Sequence, residues 1–103
     1  MNRDDLKMYS PERWYFNQYE NGRLISSLGF KTKPLAESFA RSVEEEVESA
    51  IRSGAKRRPG TTERVEEAKG WSVEGKEFSD FHEALWYMWT EKPNATIKGI
   101  FES

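Results

Sequence analysis

A short cassette occurs twice in this chain. A hairpin signal, Glu20-Asn21-Gly22-Arg23 in one place and Glu74-Gly75-Lys76 in the other, leads into a strand that ends in Phe. Two residues beyond that Phe comes a helix start: Phe30-Lys31-Thr32 in the first copy, Phe78-Ser79-Asp80 in the second. An Ala follows the Phe by six residues (Ala36, Ala84) and an aromatic by nine (Phe39, Tyr87). Turn residues, a β pattern and then a capped helical pattern define a strand-to-helix geometry. The expected class is α+β: an antiparallel sheet from two β-hairpins plus a C-terminal strand, packed on one long helix (about 33–53) and a second, aromatic-rich helix (about 81–91). At 103 residues the chain is expected to be a single domain, with residues 1–12 a loose arm or short helix and 53–61 an internal linker loop. Within the arm, Ser10-Pro11-Glu12 can open a helical turn.

Asn21-Gly22 is the strongest two-residue turn signal, because both positions need positive φ. A two-residue loop sets the register outward from Glu20 opposite Arg23. One face then holds Tyr15, Tyr19, Leu24, Leu28 and Phe30. The other holds Trp14, Phe16 and Ile25 beside Gln18, Glu20, Arg23 and Ser27. Both faces are apolar, so either the hairpin is covered on both sides or Trp14, Phe16 and Ile25 form an exposed patch.

Thr32 caps the first helix, with Pro34 tolerated in its first turn. Leu35, Ala36, Phe39, Ala40, Val43, Val47, Ala50 and Ile51 form one apolar stripe, and Gly54 can end the helix. Residues 62–69 fit a short helix or an edge strand. Asp80 and Glu83 form a capping pair for the second helix, where Ala84 to Trp89 is apolar almost all round. Such a helix is buried on several sides or meets a partner. Residues 95–101 read as the closing strand.

Composition removes several functions. There is no Cys, which excludes disulfides and thiolate metal sites and makes a reducing cytoplasm the expected setting. With one His, a metal site would rest on carboxylates, so no metal or other cofactor is expected. No apolar run is long enough to span a bilayer, no signal-peptide pattern occurs, and no membrane association is expected. His82 has no sequence-adjacent nucleophile, and Glu44-Glu45-Glu46 point in three directions around a helix. With no phosphate loop or triad to single out, the chain is read as non-enzymatic.

The segment from Trp14 to about Val47 resembles the AP2-like, arm-type DNA-binding modules of phage integrases. The likeness rests on Trp14-Tyr15-Phe16, Glu20-Asn21-Gly22-Arg23, and Gly29-Phe30-Lys31-Thr32-Lys33 followed by Ala36 and Phe39. It implies a small sheet packed on one helix, a phage or mobile-element origin, and DNA lying on the sheet face away from the helix. Here that face would offer Trp14, Phe16, Gln18, Glu20, Arg23, Ile25 and Ser27, with one cation against one carboxylate. Phosphate contact needs more positive charge than that, and the net charge of the chain is −2.

Aromatics make up 14% of the chain, including four Trp, which exceeds what one small core holds comfortably. Trp and Tyr are enriched at interfaces. The expected function is therefore a small binding protein that occupies a protein partner, or a second copy of itself, through Trp14, Phe16, Ile25, Trp86 and Trp89. The alternative is a DNA-binding accessory protein using the first hairpin and Arg23, Lys56, Arg57 and Arg58.

Overall fold

A computed structural model describes residues 2–56 and 59–102. Asn21 (φ 50°) and Gly22 (φ 81°) both take positive φ, as a type I′ turn requires. They join β1 (Trp14–Glu20) to β2 (Arg23–Phe30). Glu20 lies opposite Arg23 and Tyr19 opposite Leu24, but Gln18 then pairs with Ser26, leaving Ile25 as an extra residue. This β-bulge moves every later residue of β2 to the other face. Leu28 stands opposite Phe16 and Phe30 opposite Trp14, so the expected grouping of Leu28 and Phe30 with Tyr15 is corrected.

The first helix, α1 (Lys33–Arg52), begins where Thr32 accepts a hydrogen bond from the Leu35 amide at 3.4 Å. Phe39 stands edge-on to Phe16 at 5.4 Å and tilted against Phe30 at 5.3 Å. Trp14 and Phe16 therefore belong to the helix side of the sheet, which reverses the face given to them above. Residues 61–67 form β3 (Thr61–Glu67), antiparallel to β1 on its far side, with Val65 opposite Phe16. The first sheet has the order β2-β1-β3.

The second unit follows the same plan. Glu74 (φ 47°) and Gly75 (φ 86°) turn β4 (Gly70–Val73) into β5 (Lys76–Phe78). Asp80 accepts from the His82 amide at 2.9 Å and opens α2 (Phe81–Glu91). β6 (Ile97–Ile100) returns antiparallel to β4, giving the order β5-β4-β6. The class is α+β, but the single sheet expected is two three-stranded sheets. The edge of β1 that a second hairpin would have needed is taken by β3.

Each unit thus places its first strand centrally, its hairpin partner on one edge, and its last strand on the other. The correspondence extends to side chains. Trp14 faces Phe30 as Trp71 faces Phe78, and Phe16 faces Val65 as Val73 faces Ile97. Phe30 meets Phe39 at 5.3 Å and 41°, and Phe78 meets Tyr87 at 5.4 Å and 43°. Ala36 and Ala84 are both fully buried.

The main core belongs to the second unit: Trp71, Val73 and Ala84, with Ala68 and with Tyr15 from the first sheet. The Tyr15 ring stands edge-on to Phe101 at 5.2 Å and lies against Gly99, where any Cβ would come within 3.0 Å of it. Burial pushes the Tyr15 phenol up to about 12. Backbone ties close the junction: Ala68 N–H donates to Arg13 O at 2.8 Å, and the Trp71 indole donates to Glu12 O at 3.0 Å.

The N-terminal segment is not a loose arm. Arg3–Met8 forms a 3-10 helix, ahead of Ser10-Pro11 rather than after it, and packs on α2. Leu6 is buried, Arg3 pairs with Glu83, the His82 Nε2–H donates to Tyr9 O at 2.8 Å, and Tyr9 stands edge-on to Trp89 at 5.4 Å. Sheet on one side and arm on the other account for the apolar circumference of α2. Glu83 accordingly serves Arg3 instead of completing a capping pair with Asp80.

Candidate functional site

The five aromatic and aliphatic residues expected to form one docking surface do not come together. Phe16 is buried beneath Phe39, so it is removed from the candidate surface. Trp14 is half-buried, with the Lys33 ammonium 5.3 Å from its ring. Trp86 and Trp89 are half-buried on α2, and Trp89 is covered in part by Tyr9. α1 and α2 do not pack on one another, so the two Trp sets belong to separate surfaces. Ile25 alone is open, at 51% exposure on the bulge.

What the first unit exposes is mainly aliphatic, with Phe39 its most open aromatic at 36%. α1 runs the length of its sheet, and of its stripe only Ala36 is buried. Leu35 and Ile51 are 54% and 45% exposed, and Leu24 and Leu28 on β2 are open as well. Two grooves flank the helix. One, of about 280 Å³, is lined by Phe16, Ala40, Val43, Val47, Val65 and Arg64. The other, of about 410 Å³, lies under the last turns among Ile25, Val47, Ala50, Ile51, Lys56 and Gln18. The two grooves share Val47 and Glu63 in their walls. Periodicity locates the stripe but not how much of it the sheet can reach.

Of the basic candidates, Arg23 and Lys56 are exposed, while Arg57 and Arg58 lie outside the described residues. The Asn21 amide donates to Gly60 O at 2.9 Å, so the segment after the basic run meets the hairpin tip. Arg23 and Lys56 therefore occupy the same end of the first sheet.

A polar row absent from the sequence reading crosses the other face of that sheet. Asn17, fully buried, donates to Glu66 Oε2 at 2.7 Å and accepts from Ser27 Oγ at 2.5 Å. Tyr19 also donates to Glu66, and the Arg64 guanidinium lies 3.8 Å from the carboxylate and 4.3 Å over the Tyr19 ring. Burial, then the Glu66 hydrogen bond and charge, raise the Tyr19 pKa above its usual value. No buried side-chain nitrogen or oxygen among the described residues lacks a partner, so the row works as a cross-strand tie. Its available signal was Asn17 itself, a residue disfavoured in strands, set between aromatics.

Among the described residues no cluster of His, Asp or Glu has the makings of a metal site. No helix among them is long and apolar enough to cross a membrane. Comparison with models of protein families, with curated proteins and with solved structures finds no match to this chain.

Proposed function

We propose that this is a small non-enzymatic binding protein of the cytoplasm that acts by occupying a protein partner, with its docking surface on the first unit. The supporting observation is the open stripe of α1: one residue of the helix is buried, while Leu35 and Ile51 stand half in solvent. Apolar surface left beside a formed groove is the usual mark of a docking site. The polar row is internally satisfied and His82 is engaged by Tyr9, which fits a scaffold better than a reaction centre. The absence of Cys fits a reducing compartment. A phage or mobile-element origin rests on the resemblance of residues 14–47 alone.

Site-specific photo-cross-linking in the host tests this reading. A benzoylphenylalanine at Ile51, in the groove, is expected to capture a discrete partner, and one at Glu45, on the outer face of α1, is not. Equal labelling from both positions would overturn it.

The convergence of Arg23 and Lys56 favours a second reading as a DNA-binding accessory protein. Against it, the sheet face away from α1 carries Glu66 and is met by Phe101 and Gly99 of the second unit. Affinity for duplex DNA that falls steeply with salt would favour this alternative.

A further inference from the structure

We propose that the β2 edge is the seat of a two-fold dimer, β2 of one protomer pairing antiparallel with β2 of a second copy. This rests on the reading of the first unit as a docking module and names one occupant for it.

The argument begins with the edges. The two sheets end in β2, β3, β5 and β6. Folded proteins keep edge strands from pairing by shortening, charging, bulging or covering them. β3 carries Glu63, Arg64, Glu66 and Glu67 in seven residues. β5 has three residues including Lys76 and Glu77, and β6 has four including Lys98. β2 is neither short nor charged; its one such device is the bulge at Ile25, and residues 24–27 lie beside β6 on the face away from α1. It runs for eight residues, and after Arg23 it holds no charge and no proline. Leu24, Ile25 and Leu28 on it are 40%, 51% and 47% exposed.

The bulge at Ile25 leaves Ser26–Phe30 as the regular part of this edge, and its centre is Leu28. A two-fold axis through Leu28 sets Ser27 against Gly29 of the second copy and Ser26 against Phe30. The small residues then lie opposite each other on one face. On the other face the two Leu28 side chains meet, on the side that carries α1. Leu35 sits one turn from Phe39, which touches Phe30, so it extends the apolar contact from the helix layer. The product is a six-stranded sheet whose outer edges are the charged β3 strands. The same patch is used on both protomers, so assembly stops at two.

Size and charge set the expected strength. The paired strip over residues 26–30 is roughly 17 Å long and two layers, about 20 Å, deep. That is on the order of 340 Å² in projection from each protomer, smaller than most specific complexes, so dissociation in the range of tens to hundreds of micromolar is expected. Arg23 and Lys31 flank β2, and the antiparallel arrangement brings these like charges together at each end. Added salt should therefore tighten self-association, roughly twofold to fivefold, whereas an acidic partner strand on the same edge would be loosened.

Analytical ultracentrifugation of the full chain from about 1 to about 200 µM reads the result. The expected outcome is a concentration-dependent doubling of mass that Leu28→Lys abolishes and Ile51→Lys does not. Oxidation of Leu28→Cys in this otherwise cysteine-free chain should trap the same dimer, and oxidation of Glu45→Cys should not. A monomer throughout that range, or a dimer indifferent to Leu28→Lys, would overturn the proposal. A monomeric chain that still cross-links a different protein through Ile51 would leave the proposed function standing.

Discussion

In the second unit an 11-residue helix lies on strands of four and three residues, and a 3-10 helix closes its outer side. In the first, a 20-residue helix lies on strands of seven and eight with nothing behind it but solvent. The shared geometry at the strand-to-helix junction shows that the plan tolerates both lengths. What differs is where buried apolar area accumulates. Trp71 is 2% exposed and tied to Glu12, while its counterpart Trp14 is half-buried. One arrangement thus yields a stability core and a surface available for contact, because α2 is closed by the 3-10 helix on its outer side and α1 meets only its own sheet.

Paired substitutions test that division. Trp71→Ala is expected to cost about 3–5 kcal/mol in urea unfolding and Trp14→Ala roughly 1–2. Equal losses would mean that the halves share the load. Leu6→Ala should cost about 2–4 kcal/mol by uncovering α2, whereas Leu35→Ala on the first helix should cost less than about 0.5. A costly Leu35 change would mean that the α1 stripe is already packed.

An effect confined to alkaline pH concerns the junction between the units. The Tyr15 phenol is held protonated up to about 12 in the fold, against 10.0 in the unfolded chain. The native state therefore retains a proton that the unfolded state loses. Its stabilisation is complete below pH 10.0 and declines as pH rises towards 12. Tyr15→Phe should flatten that alkaline decline in urea midpoints, with the remaining slope due partly to Tyr19, whose pKa is also raised.

The elements built from local signals were legible. Thr32 and Pro34 place the start of α1 at Lys33, and Asp80 with Pro93 brackets α2 at Phe81–Glu91. The bulge at Ile25 was not legible, because the turn specifies only the pairs beside it and an extra residue carries no marker of its own. Nor was the division into two sheets, since β3 finds β1 across more than 40 residues and offers only Val65 as an apolar cue. Part of the aromatic excess serves two sets of helix-to-sheet contacts rather than one, which places Phe16, Trp71, Phe78 and Tyr87 against their helices or sheets, while Trp14, Trp86 and Trp89 stay half-buried. The open surface was hidden for the complementary reason: an amphipathic stripe looks the same whether or not a second element closes its flanks.

In each unit the central strand is synthesised first and one of its two neighbours last. On a ribosome adding about 5–20 residues per second, the roughly 47 residues from the end of β1 to the end of β3 take some 2–9 s. Throughout that interval the nascent chain presents β1 with one flank unpaired, and the adjacent hairpin strand β2 presents the other. The acidic run Glu44-Glu45-Glu46 and the basic run Lys56-Arg57-Arg58 both emerge within this window, and residues 14–60 together hold eight Lys or Arg against six Glu. A like net charge on every copy discourages neighbouring nascent chains from zipping together before their third strand arrives.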